Sequence, residues 1–259
     1  MKTESDSILY GNSPVVSIVT VCLNSEPYME KTIQSVLNQT YPYVEYIIVD
    51  GGSNDGTIST IKKYEDRITK WISEPDEGIY DAMNKGISLC KGDIIYCLNS
   101  GDYLYNKNIL RKVAEQFFDS SVMGVYGNVE VRDEMGNNRI RGSEVTYNTL
   151  LYKRVCHQAL FVRKTLFDEF GKFSTSYKLS SDHEFVIKCI KKYRHSFVYL
   201  NETIAVYMSG GMSCMQMKKT KLEDLKILSS NYDPVRFLLG AAVCLAVIVK
   251  YKLPGISKL

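Results

Sequence analysis

The stretch YIIVDGGSNDGT, residues 46–57, decides the fold. Tyr46 to Asp50 is a short, almost wholly apolar run ended by an acid, the pattern of a buried parallel strand. Gly51 to Gly56 are residues that tolerate unusual backbone angles and cap helices, so the chain turns there into a helix predicted over Thr57–Tyr64. Upstream, VVSIVTV (Val15–Val21) is a second such strand. Between the two, Met29, Ile33, Val36 and Leu37 recur at helical spacing. Together these segments make one βαβ unit.

The alternation continues downstream with a strand at Lys70–Ile72, a helix at Tyr80–Leu89 and a strand at Asp93–Leu98. It predicts an α/β fold with a mostly parallel central sheet and helices on both faces. The second half is less regular: strands are expected at Gly124–Val131, Ala159–Val162 and Ser196–Tyr199, and helices at Lys164–Phe170 and Asp182–Lys192. In such sheets ligands bind beyond the carboxyl ends of the strands, where loops converge. The polar residues at those ends are Asn24, then Asp50 to Gly56, then Glu74-Pro75-Asp76, then Asn99-Ser100-Gly101-Asp102. Four successive strands ending in amides or carboxylates point to a single site.

Composition narrows the function. A chain of 259 residues fits one large α/β domain with a short appendage, and 45% apolar with 24% charged residues is ordinary for a globular protein. The net charge is +3 and the lysine and arginine clusters carry no interleaved aromatics, which argues against nucleic-acid binding. Seven cysteines, with no Cys-x-x-Cys and no zinc-ligand spacing, read as reduced buried thiols. The N-terminal MKTESDSILYGNSP lacks the apolar core of a secretory signal, so a cytoplasmic location is expected. After the first strand the sequence is Cys-Leu-Asn-Ser-Glu and not a glycine-rich dinucleotide fingerprint, which argues against an NAD-dependent enzyme.

Five segments in company carry more than any one alone: TVCLN (20–24), SVLNQT (35–40), the 50–57 turn, SEPDEGIYDAMNKG (73–86) and LNSGD (98–102). Together they resemble the family 2 glycosyltransferases over residues 14–215, in a branch similar to colanic-acid and O-antigen transferases of bacterial polysaccharide clusters. The resemblance implies the GT-A nucleotide-sugar fold over residues 1–215, with a nucleotide-sugar half at 14–105 and an acceptor half at 106–215. It implies transfer from a nucleotide-diphosphate sugar, UDP being favoured, to a glycan or polyprenyl-linked hydroxyl in surface polysaccharide or lipopolysaccharide synthesis. The alternative is a non-catalytic nucleotide-sugar-binding or scaffold protein.

The same resemblance assigns residues. Asp50 and Asp76 hold the base and ribose of the donor, with Thr20 and Asn24 lining that pocket; a carboxylate accepts paired hydrogen bonds from a ribose diol or a base N–H. Asp55 caps the following helix, and Lys85 either reaches a phosphate or is a solvated helix lysine. Where the family has Asp-x-Asp, this chain has Asn99-Ser100-Gly101-Asp102, leaving Asp102 as the ligand for Mg²⁺ or Mn²⁺ and Asn99 as a hydrogen-bonding neighbour. The SSDHEF segment (180–185) matches the family's base position, so the resemblance makes Asp182 at a helix N-terminus the base, an N-cap being the other reading, and a single base implies inversion at the anomeric carbon. His157 and Gln158 match the acceptor side, a buried structural histidine being the other reading, and Gly210-Gly211-Met212-Ser213 matches a loop able to close over the diphosphate.

Residues 216–259 are expected to form a helical, membrane-associating tail. Phe237–Val249 has no charge and is flanked by Arg236, Lys250 and Lys252. As a helix it is ~20 Å long, short of the ~30 Å hydrocarbon core, so attachment to the inner face of the cytoplasmic membrane is expected rather than a span.

Overall fold

The computed structural model describes residues 13–133, 135–209 and 215–250. In chain order its first half runs β1 (Val16–Cys22), α1 (Glu26–Leu37), β2 (Val44–Asp50), α2 (Thr57–Lys62), β3 (Lys70–Ser73), α3 (Ile79–Leu89), β4 (Ile94–Cys97), β5 (Tyr103–Leu104) and α4 (Ile109–Gln116). The second half runs β6 (Gly124–Arg132), β7 (Asn138–Arg141), β8 (Leu160–Arg163), α5 (Lys164–Phe170), α6 (Ser181–Lys192), β9 (Phe197–Met208), α7 (Met217–Asn231) and α8 (Pro234–Lys250).

All seven residues of β1 are buried, as a two-faced core strand requires. It pairs in parallel with β2, where Cys22 stands opposite Asp50, and on its other edge with β4. The strand order is β3-β2-β1-β4-β8-β6-β9-β5, with β7 on β6. The expected mostly parallel sheet is corrected here. β8 is antiparallel to β4, β6 to β8, β7 to β6 and β5 to β9, and β6 and β9 alone are parallel in that half, so the sheet is mixed. The βαβ alternation that licensed a parallel reading holds only through β4. Beyond it the strands are not joined in βαβ order: β8 returns beside β4 after 62 intervening residues, and only β6 and β7 form a short hairpin. β9, expected to end at Tyr199, continues to Met208, and its alternation is masked by partial exposure along most of its length.

Helices cover both faces. Met29, Ile33 and Val36 of α1, Ile61 of α2 and Ile109, Leu110 and Val113 of α4 fill one core. Met83 and Ile87 of α3, Leu166 of α5 and Phe185 and Cys189 of α6 fill the other. Helix α3 reaches β1 because residue 86 is glycine: a Cβ there would stand 2.3 Å from Val19 Cγ1. The opposite face of α6, through Val186, Ile187 and Ile190, meets Ile227 and Leu228 of α7 and Cys244 of α8 in a third core. Helix α8 buries Gly240, Cys244 and Ile248 on one stripe and leaves Val235, Leu238, Leu239, Val243, Leu245 and Val249 exposed. Among the described residues no helix is long and apolar enough to cross a membrane.

Candidate active site

The carboxyl ends of β1 to β4 converge as open-sheet geometry demands. Asp50 is fully buried at the end of β2. Its Oδ2 accepts from the N–H groups of Gly52 (3.1 Å) and Ser53 (2.9 Å) and from Ser73 Oγ (2.7 Å), and Oδ1 accepts from Ser53 Oγ. Burial opposes its ionisation, and the hydrogen bonds from Ser53 and Ser73 outweigh that, holding the carboxyl below its ordinary range. The oxygens of Asp50 are thus engaged in building the glycine-rich turn. Thr20 is placed inward as well. It is fully buried, with Oγ1 3.2 Å from the Tyr46 hydroxyl, because alternation along β1 turns it into the core with Ile18.

Asn24 and Asp76 remain at the rim. Asn24 adopts a left-handed conformation (φ 48°), donates its N–H to Ser53 Oγ (2.8 Å) and accepts from the Asn54 N–H (3.0 Å). Asp76 lies against Gly51, where a Cβ would stand 2.3 Å from Asp76 Oδ2, and its Oδ1 accepts from the Gly78 N–H (2.8 Å). Asp55 accepts from the N–H groups of Thr57 (2.9 Å) and Glu26 (3.1 Å), tying the starts of α1 and α2 together. Lys85 is engaged by protein groups. Its Nζ bonds the Pro75 carbonyl (2.7 Å) and pairs with Glu74 (3.0 Å) and Asp81 (3.4 Å), bracing the loop before its own helix.

The Asn99–Asp102 turn closes with Asp102 N–H on the Asn99 carbonyl (3.1 Å). Helix α1 grips it: Thr32 Oγ1 donates to the Asp102 carbonyl (2.8 Å), and Ser25 and Ser100 hydroxyls stand 2.8 Å apart. The Asp102 side chain is 8% exposed. Burial pushes its carboxyl up to about 7, against the opposing pull of the nearby His157 and a hydrogen bond from Gln158.

Residues from the second half close on this turn. His157 Nε2 is 2.9 Å from Asn99 Nδ2, and His157 Nδ1 is 3.4 Å from Asp182 Oδ2. Tyr80 of α3 donates its hydroxyl to Asp182 Oδ1 (2.9 Å). Burial opposes ionisation of Asp182, but His157, Arg154 and Tyr80 hold its carboxyl well below the usual range. Asn99, Asp102, His157, Gln158 and Asp182, five of the residues singled out in the sequence, thus form one connected cluster. Thr20, Asp50 and Lys85 do not join it. Arg154 and Tyr80 do, and sequence reasoning passed over both. Tyr80 sits inside the SEPDEGIYDAMNKG motif, which is the only signal that pointed to it. The 210–213 loop lies outside the described residues.

Among the described residues no group of three or more His, Cys, Asp or Glu is placed to hold a metal. Asp102 and Asn99 nonetheless offer two hard oxygen donors from one turn, and the buried Asn99 Oδ1 has no hydrogen-bond partner among the described residues. That set fits a Mg²⁺ or Mn²⁺ ion that draws its other ligands from phosphate and water.

The mixed sheet, with strand-end acids near a helix-borne carboxylate, is GT-A-like in fold. The family model Glycosyl transferase family 2 matches residues 17–178, and the chain belongs to that family and is a glycosyltransferase. A PGL/p-HBAD biosynthesis glycosyltransferase of Mycobacterium bovis is 31% identical over 219 residues, spanning 82% of this chain and 84% of that protein. An uncharacterized glycosyltransferase of Haemophilus influenzae is 27% identical, over 80% of this chain and 84% of that protein. Among solved structures, S. aureus TarS 1-349 in complex with UDP-GlcNAc superposes with a TM-score of 0.69 at 16% identity, covering 89% of this chain and 71% of that one. The mannosyltransferase PcManGT from Pyrobaculum calidifontis, in complex with GDP-Man and Mn2+, gives 0.66 at 16%, covering 91% and 69%.

Proposed function

We propose that this glycosyltransferase is an inverting hexosyltransferase. It moves one sugar from a nucleoside-diphosphate donor, a UDP-sugar first, to a hydroxyl of a glycan or polyprenyl-linked acceptor in bacterial surface polysaccharide synthesis, at the inner face of the cytoplasmic membrane. The observation that carries the reading is the approach of Asp182 to the Asn99–Asp102 turn through a single imidazole, His157. An acceptor-side base and a leaving-group-side acid then flank one reacting centre.

In this mechanism Asn24 and Asp76 border the nucleoside, and Asp50 acts indirectly by holding the turn against which it lies. Asp182 accepts the acceptor's proton as the new C–O bond forms on the face opposite the departing diphosphate. A carboxylate held so far below its ordinary range is a weak base toward a free alcohol. It suffices late in the displacement, because an oxygen already bonding to the anomeric carbon has become strongly acidic. Tyr80 and His157 fix the direction in which Asp182 presents its oxygens. Asp102, with Asn99 beside it, would hold a divalent cation, which when bound supplies positive charge to the diphosphate. His157 and Gln158 border the acceptor side while bonding back to Asp182, Asn99 and Asp102.

A screen of the purified chain against UDP-, GDP- and dTDP-hexoses, with and without Mn²⁺ and with polyprenyl-diphosphate-linked acceptors, tests the reading. Transfer with inverted anomeric configuration that is lost in Asp182→Asn is expected. Retention of configuration, or full transfer in Asp182→Asn, refutes it.

A further inference from the structure

We infer that α7, which lies beyond the family-matched residues 17–178, is a positioning element for Asp182; the functional half of this inference rests on Asp182 being the base. Three consecutive residues leading into α6 are held by two consecutive acids of α7. Glu223 accepts the N–H of Lys178 at Oε1 and that of Leu179 at Oε2, each at 2.9 Å. Ser180 Oγ donates to Asp224 Oδ1 at 3.0 Å.

Ser180 is the residue preceding α6, where a serine hydroxyl normally accepts an N–H of the first helical turn. Here it makes no such cap bond, and it is turned toward α7 instead. The same hydroxyl accepts from Arg154 Nη2 at 2.8 Å, and Arg154 also pairs with Asp224. Lys221 completes the neutralisation of Asp224 from within α7 (2.8 Å). Asp182 sits two residues beyond this knot, so its carboxylate inherits its place from α7. Lys178 further donates Nζ to the Glu77 carbonyl (3.1 Å), joining the same segment to the loop that carries Asp76.

Placement matters at this scale, since a displacement of about 1 Å from productive geometry can cost on the order of 10²-fold in rate. Asp224 is buried and the partly buried Arg154 is paired with it, so their variants can fail to fold. Glu223 is only half-buried and keeps the inference testable.

The experiment is made on the full chain with Glu223→Ala and Glu223→Gln, the latter keeping one acceptor oxygen for two N–H groups. Two readouts are compared with wild type and Asp182→Asn. One is the ¹⁵N spectrum of the His157 imidazole, which reports the nearby Asp182 and needs no substrate. The other is kcat and donor KM for the donor found in the screen above. Expected are a His157 signal displaced toward that of Asp182→Asn, a kcat reduced about tenfold or more at unchanged donor KM and melting temperature, and a smaller effect for Glu223→Gln. An unmoved His157 signal, or an unchanged kcat where Asp182→Asn is inactive, overturns the inference. If Asp182→Asn itself transfers normally, the base assignment falls, and the His157 signal still decides whether α7 positions Asp182.

Discussion

The hydroxyl of Tyr80 donates to Oδ1 of Asp182 at 2.9 Å, although 102 residues separate the two in sequence. Helix α3 thereby meets the acceptor-side carboxylate of α6 on the face of the sheet where the two helices share one core. Burial, and then the charge of Asp182, raise the Tyr80 phenol far above its usual range, so it remains a donor at any working pH.

Tyr80→Phe removes one of the contacts that hold Asp182 below the ordinary carboxylate range. The Asp182 carboxyl then rises, and the acidic limb of the transfer rate moves to higher pH. Removing one such directed donor costs about 10-fold or more in kcat. A pH–rate profile checks this; an acidic limb that stays in place counts against it.

Asp102 gives a stability signature of opposite sign. Its folded carboxyl is raised, to about 7, so folding favours its neutral form. The penalty is absent below the ordinary value of 3.8 and grows as pH rises toward 7, reaching about 4 kcal/mol at full ionisation, an order-of-magnitude figure. Metal-free protein should therefore lose denaturant resistance between pH 4 and 7. Asp102→Asn should flatten that loss, and added Mn²⁺ should restore the wild type at neutral pH but not the variant.

Gly86→Ala places a methyl 2.3 Å from Val19 Cγ1, where helix α3 meets β1 in the buried half of the sheet. Overpacking of this kind costs about 1–3 kcal/mol. Denaturant melts should show it, with the folded fraction at low denaturant binding UDP-sugar more weakly because α3 carries Tyr80.

The exposed apolar face of α8 gives the membrane proposal its test. Leu238→Asp with Leu245→Asp changes two side chains that are 67% and 53% exposed, so folding is spared. Co-sedimentation with anionic phospholipid vesicles should fall at least tenfold, since each buried leucine contributes about 1.5–3 kcal/mol. Equal sedimentation of variant and wild type removes the membrane from the account.

By itself the sequence determined the family to which the chain belongs and the βαβ half. Local signals suffice there: β-branched runs such as Val16–Cys22, helical spacing in α1 and the turn after Asp50 each dictate their own conformation from neighbouring residues. The strand-end rule then brought Asn99 and Asp102 to one edge, and the SSDHEF segment marked Asp182. Only the tertiary structure decided which of the polar residues gather in one cluster. Thr20 and Asp50 were withdrawn into the protein by hydrogen bonds to Tyr46, Ser53 and Ser73, and Lys85 by Glu74 and Asp81. The same holds for the antiparallel return of β6 and β8 and for Arg154 and α7 behind Asp182. Those arrangements rest on pairings between residues far apart in the chain, whose free energy depends on burial and on partners that no local pattern specifies.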